Sequence, residues 1–378
     1  MSLFQRSIEI IRQYQSPEGA YVACPNFPIY HYSWMRDSSY IAYAMDLAGA
    51  HESARNYHRW VVDVIGRYKF KIPLIRQAVK NAKPLNDDDF LFTRYTLNGG
   101  EDNDAVWGNF QFDGYGTWLW AACAHYKMTG DKAWLKSVER SLSLIVEYLQ
   151  LVWRIPNYDC WEENPNLLHS YSIASTYGGL GAVLKLIEEK EINLDPAPIQ
   201  KSMGEMNAFI IKYGVFNERL AKHIKPDLAD NPIKNSGVDA SLLGAALPGK
   251  LFPLDNPIVI NTISSIQKEL VSHEGGVYRY EKDTYYGGGQ WILLTAWLGW
   301  VECKIGQHNL AGKRLEWIEK QADENDWLPE QVPHNLLAPK FYKKWLDNWG
   351  EIAKPLLWSH AMYMILYKTL NCSRSFEV

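Results

Sequence analysis

Apolar residues recur along this chain at three- and four-residue steps and almost nowhere alternate, so the sequence predicts helices rather than strands. The clearest segment is DKAWLKSVERSLSLIVEYLQLVW, residues 131–153. There Leu135, Val138, Leu142, Ile145, Leu149 and Val152 fall on one side of a helix. Gly130 and Asp131 just before it supply the stop of one helix and the N-cap of the next. About twelve such segments form pairs at roughly sixty-residue intervals. The pairs are 2–14 with 37–49, 51–79 with 114–129, 131–154 with 170–190, 196–215 with 238–247, 257–271 with 290–305, and 308–322 with 354–370.

Short turns and long connections alternate between these segments. That pattern predicts an all-α fold, a closed toroid of six helix pairs, with the long connections on one face. The connections lie near 15–36, 80–113, 155–169, 223–237, 272–289 and 325–352. Loops gathered at one rim of a rigid scaffold are where chemistry usually sits. No composition break or low-complexity linker divides residues 1–378, which read as a single domain.

Charge narrows the function classes. Lys plus Arg number 39 against 43 Asp plus Glu, for a net charge of −4, and no basic run stands out. A nucleic-acid or anionic-membrane partner is therefore not expected. No apolar run approaches the roughly 18 residues of a membrane helix. The opening MSLFQRSIEIIRQYQ is amphipathic and charged, unlike a secretory signal. The 5 cysteines are scattered without a CxxC pair and read as reduced thiols. Together these predict a soluble cytoplasmic protein.

The aromatic content is the unusual feature: 16 Trp, 23 Tyr and 12 Phe. Several sit in Gly-rich loops, WGNFQFDGYG (107–116) and YRYEKDTYYGGGQW (278–291), where core packing is a poor explanation. Rings around a pocket suit sugars, whose C–H faces stack on them while hydroxyls find polar partners. The long loops also carry charge: Arg36 and Asp37 in YHYSWMRD with Tyr30 and Trp34, Trp107 and Asp113, Arg279 and Asp283, and Glu330 in LPEQV. The stretch WEENPNLLHSYS places Glu162 and Glu163 side by side after Trp161. An adjacent Glu pair is most often a solvated helix start, and an Arg-Asp pair most often a cap. Their ordered distribution over several rim loops shifts that reading toward one shared site.

WMRDS, WGNFQFDG, CWEEN, RYEKDTYY, LPEQ and PLLWSHA, in this order, resemble the motif set of the glucoamylase family, glycoside hydrolase family fifteen. The resemblance runs from about residue 25 to residue 365. It implies an (α/α)6 barrel and an inverting exo-hydrolase that releases β-glucose from the non-reducing ends of α-glucosides. On this resemblance Glu162 is the general acid, Glu330 the general base, and Glu163 a contact to the sugar in subsite +1. Arg36, Asp37 and Arg279 form a charged clamp around the terminal glucose in subsite −1. Tyr30 and Trp107 are its aromatic walls, with Trp34, Trp161 and Trp358 in the same pocket.

Inversion needs an acid and a base on opposite faces of the ring, about 6.5–9.5 Å apart to admit water. The acid must hold a proton near neutrality, which burial against Trp161 and the charge of Glu163 would favour for Glu162. The 10 histidines show no HExxH or comparable ligand spacing, so no metal or cofactor is expected. Cys160 reads as packing. Family members act on α-1,4, α-1,6 and α-1,1 linkages. The chain shows neither an N-terminal β-sandwich nor a starch-binding module, which points to short soluble α-gluco-oligosaccharides. A trehalase on the same scaffold, and a non-catalytic glucan-binding or regulatory protein, remain the alternatives.

Overall fold

The computed structural model describes residues 1–102, 107–225 and 237–372. Its helices are α1 (Leu3–Gln13), α2 (Met35–Leu47), α3 (His51–Tyr68), α4 (Lys71–Lys80), α5 (Asp113–Thr129), α6 (Lys132–Val152), α7 (Ser170–Glu188), α8 (Pro196–Tyr213), α9 (Leu243–Ala246), α10 (Pro257–Glu269), α11 (Ile292–Lys304), α12 (His308–Glu319), α13 (Tyr342–Trp349) and α14 (Leu357–Cys372). In space α2, α5, α7, α9, α11 and α14 each touch the next, and α14 returns to α2, which closes an inner ring. Helices α1, α3, α6, α8, α10 and α12 pack outside it. This is an (α/α)6 barrel, as the helix pairing predicted.

The two rings differ because their surroundings differ. Outer α6 buries Leu135, Val138, Leu142, Ile145, Leu149 and Val152 on one side, and the opposite side stays polar. Its N-cap is Asp131, whose side chain accepts from Trp134 N at 2.9 Å. The preceding Gly130 adopts φ 65°, the left-handed helix stop. Inner α11, ILLTAWLGWVECK, is buried at every position from Ile292 to Cys303, so it has no polar face to show. Inner helices also approach closely. A Cβ on Gly116 of α5 would lie 2.4 Å from Ser175 O of α7, and one on Gly179 only 2.3 Å from Gly116 O.

Three elements depart from the periodicity. Segment 51–79 is two helices, parted at Lys69 and Phe70 just before Pro73, which has no N–H and whose ring crowds the carbonyl four residues back. The inner helix expected over 238–247 is a 3-10 turn, Ala240–Leu242, followed by the single turn of α9. The connection 325–352, read as loop, contains α13. Two-residue strand pairs staple the rim loops, Ser33–Trp34 to Arg94–Tyr95 and Gln290–Trp291 to Gln331–Val332. Most of the connection near 223–237 lies outside the described residues, as do residues 103–106 just before Trp107. Among the described residues no helix is long and apolar enough to cross a membrane.

Candidate active site

A cavity of about 320 Å³ opens at the rim that carries the long loops. Its wall includes Tyr30, Trp34, Arg36, Asp37, Trp107, Trp161, Glu162, Glu163, Arg279, Glu330 and Trp358, so each residue that the family resemblance assigns to the site reaches one space, while Asp113 and Asp283 stand behind the arginines. The rim staples put them there. Pairing of Trp34 with Arg94 starts α2 at Met35, so Arg36 and Asp37 occupy the first turn of an inner helix. Pairing of Trp291 with Gln331 sets Glu330 beside the start of α11, where Ile292 N donates to Glu330 O at 3.2 Å. From the other side Glu330 N donates to Ala353 O at 2.9 Å.

The paired glutamates are parted by a tight turn built on Asp159. Its Oδ1 accepts from Trp161 N and Glu163 N, both at 2.9 Å. Glu162 within that turn takes φ 58°, a left-handed conformation that an L side chain rarely adopts. The result sends neighbouring carboxylates to different partners. Oε1 of Glu162 accepts from Gln111 Nε2 at 3.1 Å, Trp34 Nε1 at 3.2 Å and Arg36 Nη2 at 3.4 Å. Glu163 accepts from Tyr280 OH at 2.8 Å and lies 3.9 Å from both Lys222 Nζ and Arg279 Nη2.

The arginines are held by buried acids. Arg36 donates to Gln111 at 2.9 Å and pairs with Asp37 at 3.2 Å and Asp113 at 3.3 Å, with Trp358 beneath it at 5.3 Å. Arg279 donates through Nε to Asp283 at 2.7 Å and lies over the rings of Trp291 and Trp161 at 5.0 and 5.3 Å. Two guanidinium groups fixed in this way present fans of donors that need no reorganisation to meet a ligand.

Glu330 is the most buried of the carboxyls that line the cavity, 4% exposed. Burial pushes its carboxyl up to about 8, against the pull of Arg279 and the Tyr30 hydrogen bond, and the charges of Asp37 and Glu162 push the same way. Tyr30 OH donates to Oε1 at 3.1 Å and is itself hydrogen-bonded to Tyr285 OH at 2.8 Å. Oε2 is buried without a hydrogen-bond partner. Asp37 is likewise pushed up to about 7, by burial first, with Arg36 opposing. The setting expected for Glu162 needs correction. Three donors surround its carboxylate, and Glu163 turns away to Tyr280 instead of crowding it.

The sequence reading missed several wall residues. Trp345 and Trp349 come from α13, whose Trp345 Nε1 donates to Thr284 O at 2.8 Å. Their signal was present as Tyr342, Trp345, Leu346 and Trp349, an apolar stripe at three- and four-residue steps. Tyr285 and Trp291 also line the cavity, as does Cys160. Burial holds the Cys160 thiol well above its ordinary range, so it stays protonated and inert. Gln111 and Asp113, inside a quoted motif, support Glu162 and Arg36 from behind.

An aromatic-walled cavity with separately held carboxyls and two buried arginines, on an (α/α)6 barrel, defines a glycoside hydrolase. The model of the family described as glycosyl hydrolases family 15 matches residues 1–324, and the chain belongs to that family. It is 36% identical over 370 residues to an isomaltose glucohydrolase of Kribbella flavida, covering 98% of this chain and 92% of that one. A trehalase of Sulfolobus acidocaldarius is 24% identical over 335 residues, 84% of this chain and 56% of its own length. Among solved structures, a wild-type glycosidase superposes with a TM-score of 0.90 at 35% identity, covering 98% of this chain and 96% of its own. A bacterial glucoamylase complexed with acarbose shares the fold, with a TM-score of 0.74 at 20% identity over 98% of this chain and 56% of its own.

Proposed function

We propose that the chain is an inverting, exo-acting α-glucoside hydrolase that frees β-glucose from the non-reducing ends of short α-gluco-oligosaccharides, with α-1,6-linked isomaltose-type substrates preferred. Glu162 protonates the departing glycosidic oxygen, Glu330 activates water, and Glu163 positions the leaving sugar. The observation that carries this reading is the division of labour among three carboxyls in one cavity. Glu162 stands among N–H donors, Glu330 offers a buried Oε2 with no partner, and Glu163 faces Tyr280 and Lys222. The α-1,6 preference rests on similarity to the isomaltose glucohydrolase over nearly the whole of both chains. Similarity to a glycosidase solved as a variant in complex with glucose supports glucose as the terminal unit.

An inverting displacement passes through an oxocarbenium-like sugar. Positive charge then develops next to Asp37 and Glu330, whose burial leaves little solvent to screen it. That charge favours ionised Glu330 when the water attacks. A clamp by Arg36, Asp37 and Arg279 around the terminal sugar would block a chain continuing past it, so exo attack is the expected mode.

Hydrolysis of isomaltose, panose, maltose and trehalose, with the product anomer followed by NMR, tests the proposal. Isomaltose and panose should be cleaved fastest, with β-glucose appearing first. α-Glucose as first product would remove the inverting mechanism. Trehalose as the best substrate would select the second reading, which the similarity to a trehalase favours.

A separate expectation concerns Glu163. Glu163→Gln removes a charge from the Tyr280, Lys222 and Arg279 cluster but no reacting group. Loss of one charge-assisted contact to the leaving sugar should reduce kcat/KM about 10- to 100-fold on disaccharides. On an aryl glucoside, which lacks that sugar, the loss should be small. An equal loss on both substrates would place Glu163 in the chemistry itself.

A further inference from the structure

The barrel end opposite the cavity holds a second cluster of ionisable groups with no part in the sugar chemistry. Arg36 and Asp113 mark the cavity ends of α2 and α5, and Asp46 and His125 lie ten or more residues further along those helices. At about 1.5 Å per residue they sit roughly 15 Å or more from the site. Helix α3 enters the same end and brings His51 and His58, two turns apart on one face.

Asp46 Oδ1 is 2.8 Å from His125 Nδ1 and 2.8 Å from His51 Nδ1. Asp46, His58 and His125 are buried, and each offers a ligand atom within 4.8 Å of the others. Both ring nitrogens of His58 and Nε2 of His125 lack a hydrogen-bond partner. A buried imidazole with neither nitrogen satisfied is costly unless something electropositive or a donor meets it.

We propose that Asp46, His58 and His125, with His51 at the solvent edge, bind a divalent transition-metal ion of the zinc class. Two imidazoles and one carboxylate within 4.8 Å of one another suit a borderline-soft ion far better than calcium or magnesium, which take oxygen ligands, and leave a fourth position open toward His51. His58, with neither ring nitrogen hydrogen-bonded, keeps a lone pair to give. His51, with its side chain 40% exposed, supplies the entry path. The ion would tie α2, α3 and α5 together at the closed end. Another histidine group, Asp159, His169 and His223, is less suited. There Lys222 Nζ stands 3.5 Å from Asp159, and His169 already spends its nitrogens on His223 and Asn157 O.

The test uses the full chain. Metal content is measured by plasma mass spectrometry as isolated, then after chelator treatment and titration with zinc or cobalt(II). About one ion per chain is expected, with a higher melting temperature on zinc addition and a visible tetrahedral cobalt spectrum. His58→Gln should abolish the cobalt spectrum and the thermal response, while sugar hydrolysis at 25 °C remains. If His58→Gln fails to fold, the wild-type stoichiometry and cobalt spectrum decide. Trp134, whose ring packs against His58 and His125 at 5.5 and 4.4 Å, offers the competing account, in which these histidines only pack. No bound metal and no thermal response in the wild type would establish that account and overturn the site. Zinc binding that survives His58→Gln unchanged would overturn it equally.

Discussion

Glu162→Gln is expected to lower kcat on isomaltose by about 10²–10⁴-fold, the usual contribution of a positioned general acid, with glucose binding little changed. The amide keeps an oxygen to accept from Trp34, Gln111 and Arg36, so the variant deletes a proton and little shape. On α-glucosyl fluoride, whose leaving group needs no protonation, most of the loss should disappear. Glu330→Gln should be equally damaging on both substrates, because water must still be activated. The comparison matters because burial pushes Glu330, the assigned base, up to about 8, so it carries a proton at neutral pH in the substrate-free site. That proton must leave Glu330 before the carboxylate can activate water. The value of kcat/KM should therefore rise with pH through about 8 as Glu330 ionises. If instead Glu330→Gln were the variant rescued by the fluoride, acid and base would be exchanged.

Much of this architecture was legible because helical periodicity is a local signal. One-sided α6 could be read residue by residue, including its Asp131 cap. The inner helices were legible only as apolar runs of helical length, since α11 faces protein on all sides and carries no polar stripe. Short α9 and the break before Pro73 were not resolved, because tertiary packing and one ring decide them. Helix α13 was hidden by its setting, as its tryptophans resemble rim aromatics until the intervening polar positions are counted.

At the site, motif residues mark positions but not partners. Nothing local says that Gln111 reaches Glu162, or that Tyr285 backs Tyr30. The turn that gives Glu162 its φ of 58° depends on Asp159 and on backbone bonds that only the folded loop makes. The histidine cluster was missed for a related reason. Its ligands come from three helices, and ligand-spacing rules see only those on one.

Glu330→Gln is also expected to make the folded chain more resistant to urea at alkaline pH, and this effect should vanish in acid. The sign follows from the raised carboxyl. Its value rises from the ordinary 4.5 to about 8 in the folded state, so between those values the folded chain holds a proton that the unfolded chain has lost. Stability from this group is complete below pH about 4.5, declines as pH rises, and is lost once the pH passes about 8. Above that point the buried carboxylate destabilises the fold by up to about 5 kcal/mol, an order-of-magnitude ceiling. Glutamine carries no charge at any pH, and its oxygen can still accept from Tyr30. Urea unfolding at pH 5 and pH 9, with unchanged m-values, should show the variant ahead by a few kcal/mol at pH 9 and near parity at pH 5. A pH-independent difference, or a wild type more stable at pH 9, would mean that Glu330 is not desolvated as its surroundings require. The burial that weakens the fold is what makes Glu330 a strong base once ionised, since a carboxylate poorly solvated by water binds a proton more tightly.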